Sequence, residues 1–227
     1  MELSSMMLSV IKRGVMKAPP VPAGDLSRIG CISLMRYVDP PWWAKRIEWY
    51  QRHLALKYGF DAEDCRFIHA FIHGPGESGV HSMFPFAQRL DVRKYTENPK
   101  CETVTMRRNL DDVDPDLGFA SPEDYAWRYW AAALWATHSM QNKIYDPLQY
   151  FGFISRVWLG KDFYARAPKW MKKLMDAMPI CSQLPADAAR IVGDNVFRVP
   201  DELGSFQELM PAHWHRALRN GRYIRCP

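Results

Sequence analysis

The sequence predicts an α+β domain, a small antiparallel sheet packed by helices, and three segments carry that expectation. Residues 65–73, Cys-Arg-Phe-Ile-His-Ala-Phe-Ile-His, are rich in β-branched and aromatic residues and stop at Gly74-Pro75-Gly76, the pattern of a strand entering a turn. Ser121-Pro122-Glu123-Asp124 is a helix start, with a serine N-cap, a proline at the first position and acids in the first turn. Residues 179–193, Pro-Ile-Cys-Ser-Gln-Leu-Pro-Ala-Asp-Ala-Ala-Arg-Ile-Val-Gly, read as a short helix with Cys181 in its first turn and Gly193 as its stop. Pro185 is compatible with that helix, because early helical positions have no intrahelical acceptor for an N–H.

Taken in order, residues 1–26 form a mobile leader containing Pro19-Pro20-Val21-Pro22, and residues 27–227 form one domain. A first strand is expected at 30–36. Pro40-Pro41-Trp42-Trp43 opens an amphipathic helix through about Tyr58, with Trp42, Trp43, Ile47, Trp49, Tyr50 and Leu54 on its apolar side. Strands at 65–73, 79–83 and 101–107 follow, and Asp111 to Asp116 is an acidic loop. The helix beginning at Pro122 runs to about residue 142. Helices near 147–159 and 163–177 lead to the segment carrying Cys181.

Composition narrows the class. A chain of 227 residues, 48% hydrophobic and 13% aromatic, has enough apolar material for one sizeable core. Five cysteines at 31, 65, 101, 181 and 226, with no Cys-x-x-Cys pair, fit a reduced thiol protein better than a disulfide scaffold. The apolar run Met6 to Ile11 is followed by basic residues instead of preceded by them, unlike a signal peptide. The longest uncharged span, Tyr129 to Asn142, is fourteen residues, short of a membrane crossing. These features together lead us to expect a soluble, cytoplasmic protein. The net charge of +5 collects toward the end, where Arg216, Arg219, Arg222 and Arg225 recur with no acid from Pro211 onward. That stripe reads as a solvated basic face or a weak contact for phosphate groups; no motif points to a specific nucleic acid.

The candidate chemistry centres on Cys181 and His69. A thiol at a helix start feels the positive end of the helix dipole and unpaired N–H groups, which favour thiolate. The same segment also suits a plain buried cysteine. His69, placed mid-strand on one face with Phe67 and Phe71, is where a general base would be presented to a thiol, although strand histidines also serve simply as hydrogen-bonded core residues. A metal site is disfavoured. Cys65, His69 and His73 would share a stripe only on a helix; on a strand His69 and His73 lie about 13 Å apart, too far for one zinc. His213-x-His215 lacks nearby acidic or cysteine partners, and no cofactor is expected.

Five short motifs in order resemble the circularly permuted branch of the NlpC/P60, papain-like superfamily. They are Gly30-Cys31-Ile32-Ser33-Leu34, the His69 strand, Tyr145-Asp146-Pro147-Leu148-Gln149-Tyr150-Phe151-Gly152, Cys181-Ser182-Gln183-Leu184, and Val199-Pro200-Asp201-Glu202-Leu203. The resemblance covers roughly residues 28–210. It implies a permuted papain-like fold in which the histidine strand precedes the cysteine helix. It also implies a catalytic set of Cys181 as nucleophile, His69 as base and His81 as orienter, with Glu77 or His73 as substitutes for the third member. Tyr145 would lie beside the nucleophile, assisting substrate or oxyanion. Two positions depart from the family pattern: Cys31 stands where an aspartate is typical, and His81 where glutamate is common. The implied activity is a cysteine hydrolase cleaving a peptide or isopeptide amide through an acyl-enzyme, on a peptide, peptidoglycan-like or acyl substrate. The alternatives are a lipid acyltransferase or thioesterase of the same fold, and an inactive binding or structural module.

Overall fold

A computed structural model describes residues 27–83, 86–140, 168, 181–197 and 209–226. The expectations for the leader 1–26, for Tyr145, for the helices near 147–159 and 163–177, and for Val199 to Leu203 lie outside the described residues. The described part is α+β: a six-stranded antiparallel sheet with helices. The strands are β1 (Ile32–Tyr37), β2 (His69–His73), β3 (Ser78–Met83), β4 (Phe86–Asp91), β5 (Cys101–Arg108) and β6 (Tyr223–Arg225), in the spatial order β4-β3-β2-β1-β5-β6. The helices are α1 (Trp42–His53), α2 (Ala55–Tyr58), α3 (Arg93–Thr96), α4 (Pro122–Met140), α5 (Gln183–Ile191) and α6 (Pro211–Arg219). No helix among the described residues is long and apolar enough to cross a membrane.

The period-two alternation of strands sorts side chains to two faces. Ile32, Leu34, Ala70, Ile72, Val80 and Met106 face a large core closed by α4, α5 and Trp214 of α6. Met35, Ile68, Phe71, Val92 and Tyr95 form a second, smaller cluster with Ala44 of α1. Small residues let α4 and α5 approach closely: Ala132, Ala133 and Ala136 on one, Ala186, Ala188 and Ala189 on the other. The Tyr129 hydroxyl fastens the two by donating to the Pro185 carbonyl at 2.8 Å. Ser121 caps α4 as expected, its Oγ accepting from the Asp124 N–H at 3.2 Å. Gly30 holds φ +69°, and an added Cβ would meet the Ala126 carbonyl oxygen at 2.7 Å, so glycine is required where β1 starts beneath α4.

Several expectations are corrected. The strand read over 65–73 begins only at His69, because Asp64–Arg66 forms a 3-10 turn. Asp61 and Asp64 bond reciprocally to each other's backbone N–H at 2.8 and 2.9 Å, and the buried Gln51 amide donates to the Cys65 and Phe67 carbonyls. Those carbonyls are thereby removed from any strand ladder. Phe67 consequently belongs to the large core, while His69 shares its face with Phe71 and Tyr95. On α1 the inward stripe is Ala44, Ile47, Tyr50 and Gln51, and Trp42 and Trp49 face outward with 77% and 44% exposure. Gln51 satisfies its amide inside, and the helical period then turns both tryptophans to solvent. The predicted single helix to Tyr58 breaks at Leu54. Strands β4 and β6 were not expected.

Three arginines of the basic stripe also bond within the fold, although Arg219 and Arg225 stay exposed. Arg216 donates to the Tyr58 carbonyl, Arg219 to Asp64 at 2.6 Å and Asp61 at 3.0 Å, and Arg222 to the Val196 carbonyl at 2.6 Å. The tail contains no acid of its own, but the fold brings Asp61 and Asp64 to it. The same Asp64 accepts from His215 Nδ1 at 2.7 Å, so His215 does have an acidic partner.

Candidate active site

Cys181 reaches the backbone beside His69 where β2 loses its neighbour. β3 pairs with β2 only over Phe71–His73, which leaves the edge of His69 and Ala70 open on that side. The Cys181-Ser182 turn just ahead of α5 fills the opening. The Cys181 thiol donates to the Ile68 carbonyl at 3.9 Å, and the Ala70 N–H bonds to the sulfur. The sulfur therefore touches backbone on both sides of His69. Covalent geometry then places it within about 7 Å of the His69 Cα. Cys181 lies ahead of the N-cap Ser182 instead of within the first turn as predicted, and its own N–H and that of Ser182 favour the thiolate.

The turn is held by α6. Ser182 Oγ donates to the Leu209 carbonyl at 2.6 Å, and Trp214 Nε1 donates to the Ser182 carbonyl at 3.0 Å. The far end of α5 is fixed by Asp194, which accepts from Arg108 at 2.8 Å and from the Tyr125 hydroxyl at 2.7 Å. Gly193 ends the helix with φ +88°.

On the strand side, His69 Nε2 and His81 Nδ1 share a proton at 3.0 Å. This bond joins the two histidines singled out in the sequence, and it leaves Nδ1 as the His69 nitrogen available to a thiol. The Gln88 amide on β4 lies 3.3 Å from His81 Nε2. The relay is therefore Gln88, His81, His69, and the amide decides the tautomers. When Gln88 presents its oxygen, His81 carries its proton on Nε2, accepts from His69 at Nδ1, and His69 Nδ1 is a free lone pair. Here Gln88 presents its Nε2, so His81 accepts at Nε2 and donates from Nδ1 to His69 Nε2, and His69 Nδ1 carries a proton.

Tyr95 closes the other side. Its ring lies 5.5 Å from His69 and 6.1 Å from His81, centroid to centroid. Burial, and then neighbouring groups that include Cys181, push its phenol up to about 12. The two alternatives for the third residue are not brought to His69. His73 bonds the Ser33 hydroxyl at 2.7 Å, and Glu77 is exposed on the β2–β3 turn at the opposite end of the hairpin.

The electrostatics are those of a dry, neutral pair. Cys181 and His69 retain 8% and 7% exposure. Burial pushes the Cys181 thiol up to about 11, against the opposing pull of the Ala70, Ser182 and Cys181 N–H groups. Burial, followed by the charges of His81 and Lys94, pulls His69 down to about 3, and burial with Lys94 pulls His81 to about 4. At neutral pH the resting site thus holds a thiol and two uncharged imidazoles. No group of three or more His, Cys, Asp or Glu side chains suited to a metal ion occurs among the described residues.

Sequence reasoning missed Gln88 and Tyr95. Nothing local distinguishes either: residues 86–91, Phe-Ala-Gln-Arg-Leu-Asp, lack strand alternation, and Tyr95 sits in a single helical turn. Only the register of His81 opposite Gln88 reveals the amide's role. The chain matches no family model, no curated protein and no solved structure.

Proposed function

We propose that this protein is a cysteine hydrolase acting on an amide, with a permuted papain-like arrangement in which the histidine strand precedes the cysteine helix. The observation that carries the reading is the contact of the Cys181 sulfur with the backbone flanking His69, together with the 3.0 Å bond from His69 to His81. With the Gln88 amide turned to present its oxygen, His69 Nδ1 is unprotonated and takes the thiol proton as the sulfur attacks the carbonyl carbon, and His81 shares the positive charge that develops on His69. In this reading backbone N–H groups at the α5 start stabilise the tetrahedral oxyanion. His69 then returns the proton to the leaving amine, and water releases the acyl group from sulfur. The thiol and imidazole pKa values are ordered against a resting ion pair, so the proton moves only in concert with attack.

The same ordering favours one rival, an inactive module that retains the residues without the chemistry. A panel of peptide, ester and thioester acyl donors separates the two. The hydrolase reading expects an acyl adduct on Cys181 by intact-protein mass spectrometry, absent in Cys181→Ala and slowed about 10²–10⁴-fold in His69→Ala. Absence of any adduct with the full panel favours the module.

A further inference from the structure

Cys31 and Cys226, distant from the candidate site's chemistry, place their sulfurs 3.0 Å apart. Cys31 immediately precedes β1 and Cys226 immediately follows β6, the two strands that flank β5. The Cys226 N–H donates to the Thr105 carbonyl at 2.9 Å, and Ser33 is paired with Thr105 across the other edge of β5. Rigid ladders on both sides therefore hold the two thiols together. Cys31 is buried, whereas Cys226 is half-exposed near the chain end. A disulfide needs about 2.05 Å between sulfurs, so closure requires about 1 Å of movement at two strand ends.

We propose that Cys31 and Cys226 form an oxidisable dithiol that closes into a disulfide stapling β1 to β6. The oxidant is a small disulfide of the glutathione type. The Cys226 thiolate attacks one sulfur of oxidised glutathione, giving a mixed disulfide and one glutathione thiolate that takes up the Cys226 proton. Cys31 then attacks the Cys226 sulfur and expels the second glutathione, which receives the Cys31 proton. Two protein thiols become one disulfide, and one glutathione disulfide becomes two thiols. Cys226 is held below the usual thiol range, chiefly by its bond with Cys31, whereas that bond and burial raise Cys31 against the pull of Arg107 and Arg28; Cys226 is therefore the thiol that attacks first, and Cys31 gives up its proton as it attacks. The cross-link spans a sequence separation of 195 residues and so constrains nearly the whole unfolded chain. The earlier expectation of a purely reduced thiol protein would then hold only under reducing conditions.

The test uses the full chain, fully reduced, desalted and equilibrated with an excess of oxidised over reduced glutathione. Peptide mapping without reductant is expected to find Cys31 linked to Cys226, and intact mass to fall by two hydrogens. Thermal unfolding should shift up by about 5–15 °C. Cys226→Ser, which changes a half-exposed residue, should lose both the link and the shift. Both thiols remaining free, or Cys226 ending as a glutathione mixed disulfide without closure, overturns the proposal. A bond that forms but leaves the melting temperature unchanged overturns the stapling role.

Discussion

His69 and His215 are both buried imidazoles with a short hydrogen bond, yet their surroundings are opposite. His215 donates to Asp64, a fully buried carboxylate that also accepts from Arg219 at 2.6 Å and from the Asp61 N–H, and the His215 ring stacks on Phe67 at 4.6 Å. Burial alone would raise the Asp64 carboxyl, but the bonds from His215 and Arg219 hold it below its ordinary value. His69 has no carboxylate. Its partner is a second neutral imidazole, whose own partner is an amide. A histidine locked to a buried carboxylate clamps the structure; a histidine in a neutral relay has a proton that can be moved. The contrast separates the clamp that positions β2 from the groups it positions.

The largest effect should come from breaking the clamp. Asp64→Ala leaves His215 and Arg219 without their acceptor and is expected to cost about 3–5 kcal/mol in denaturant unfolding. His81→Ala, by contrast, is expected to leave the fold within about 2 kcal/mol of wild type and slow Cys181 acylation about 10²-fold.

Acid should separate the regions next. The folded-state pKa values of His69, His73 and His81 lie near 3, 4 and 4, below the value near 6.5 that applies when they are exposed. As pH falls through 6.5 the unfolded chain takes up these protons first, so stability is lost from about pH 6.5 downward, by roughly 2–4 kcal/mol per imidazole. The Asp64 contribution has the opposite origin. Its carboxyl is depressed, so its stabilisation is present above the ordinary carboxylate pKa near 4 and is lost only below that. Urea titrations at stepped pH should therefore show loss beginning near pH 6.5, with His81→Gln reducing the early part. A flat profile between pH 7 and 5 contradicts the neutral relay.

A smaller, more specific change is Gln88→Glu. A carboxylate against His81 Nε2 favours the protonated relay and should raise the histidine titration by about one unit or more, read by imidazole NMR. Trp42→Ala on the outer face of α1 should change stability by less than about 0.5 kcal/mol, although the residue was expected to be core.

The α+β class, four of the sheet's strands and the start of α4 were readable in advance because they rest on local patterns: β-branched runs and a serine-proline cap. The residues that complete the site were not. Gln88 matters only because β4 sets it opposite His81, and Tyr95 only because a single turn of helix folds it over two imidazoles. Asp64 and His215 are 151 residues apart in sequence, and no periodicity links them. Trp42 was misplaced for a related reason, since buried Gln51 anchors α1 through polar bonds that hydrophobic patterning does not register.

The most direct test of the central claim is the rate of Cys181 alkylation by iodoacetamide against pH, in wild type and His69→Ala, followed by mass spectrometry. The account predicts that wild type alkylates at neutral pH well below the thiol's titration near 11, because His69 takes the proton as sulfur attacks. His69→Ala should lose that neutral-pH rate and keep only the alkaline limb. Identical profiles in the two proteins, rising only toward the alkaline limb, would mean that His69 does not serve Cys181 as a base, and the proposed hydrolase would fall.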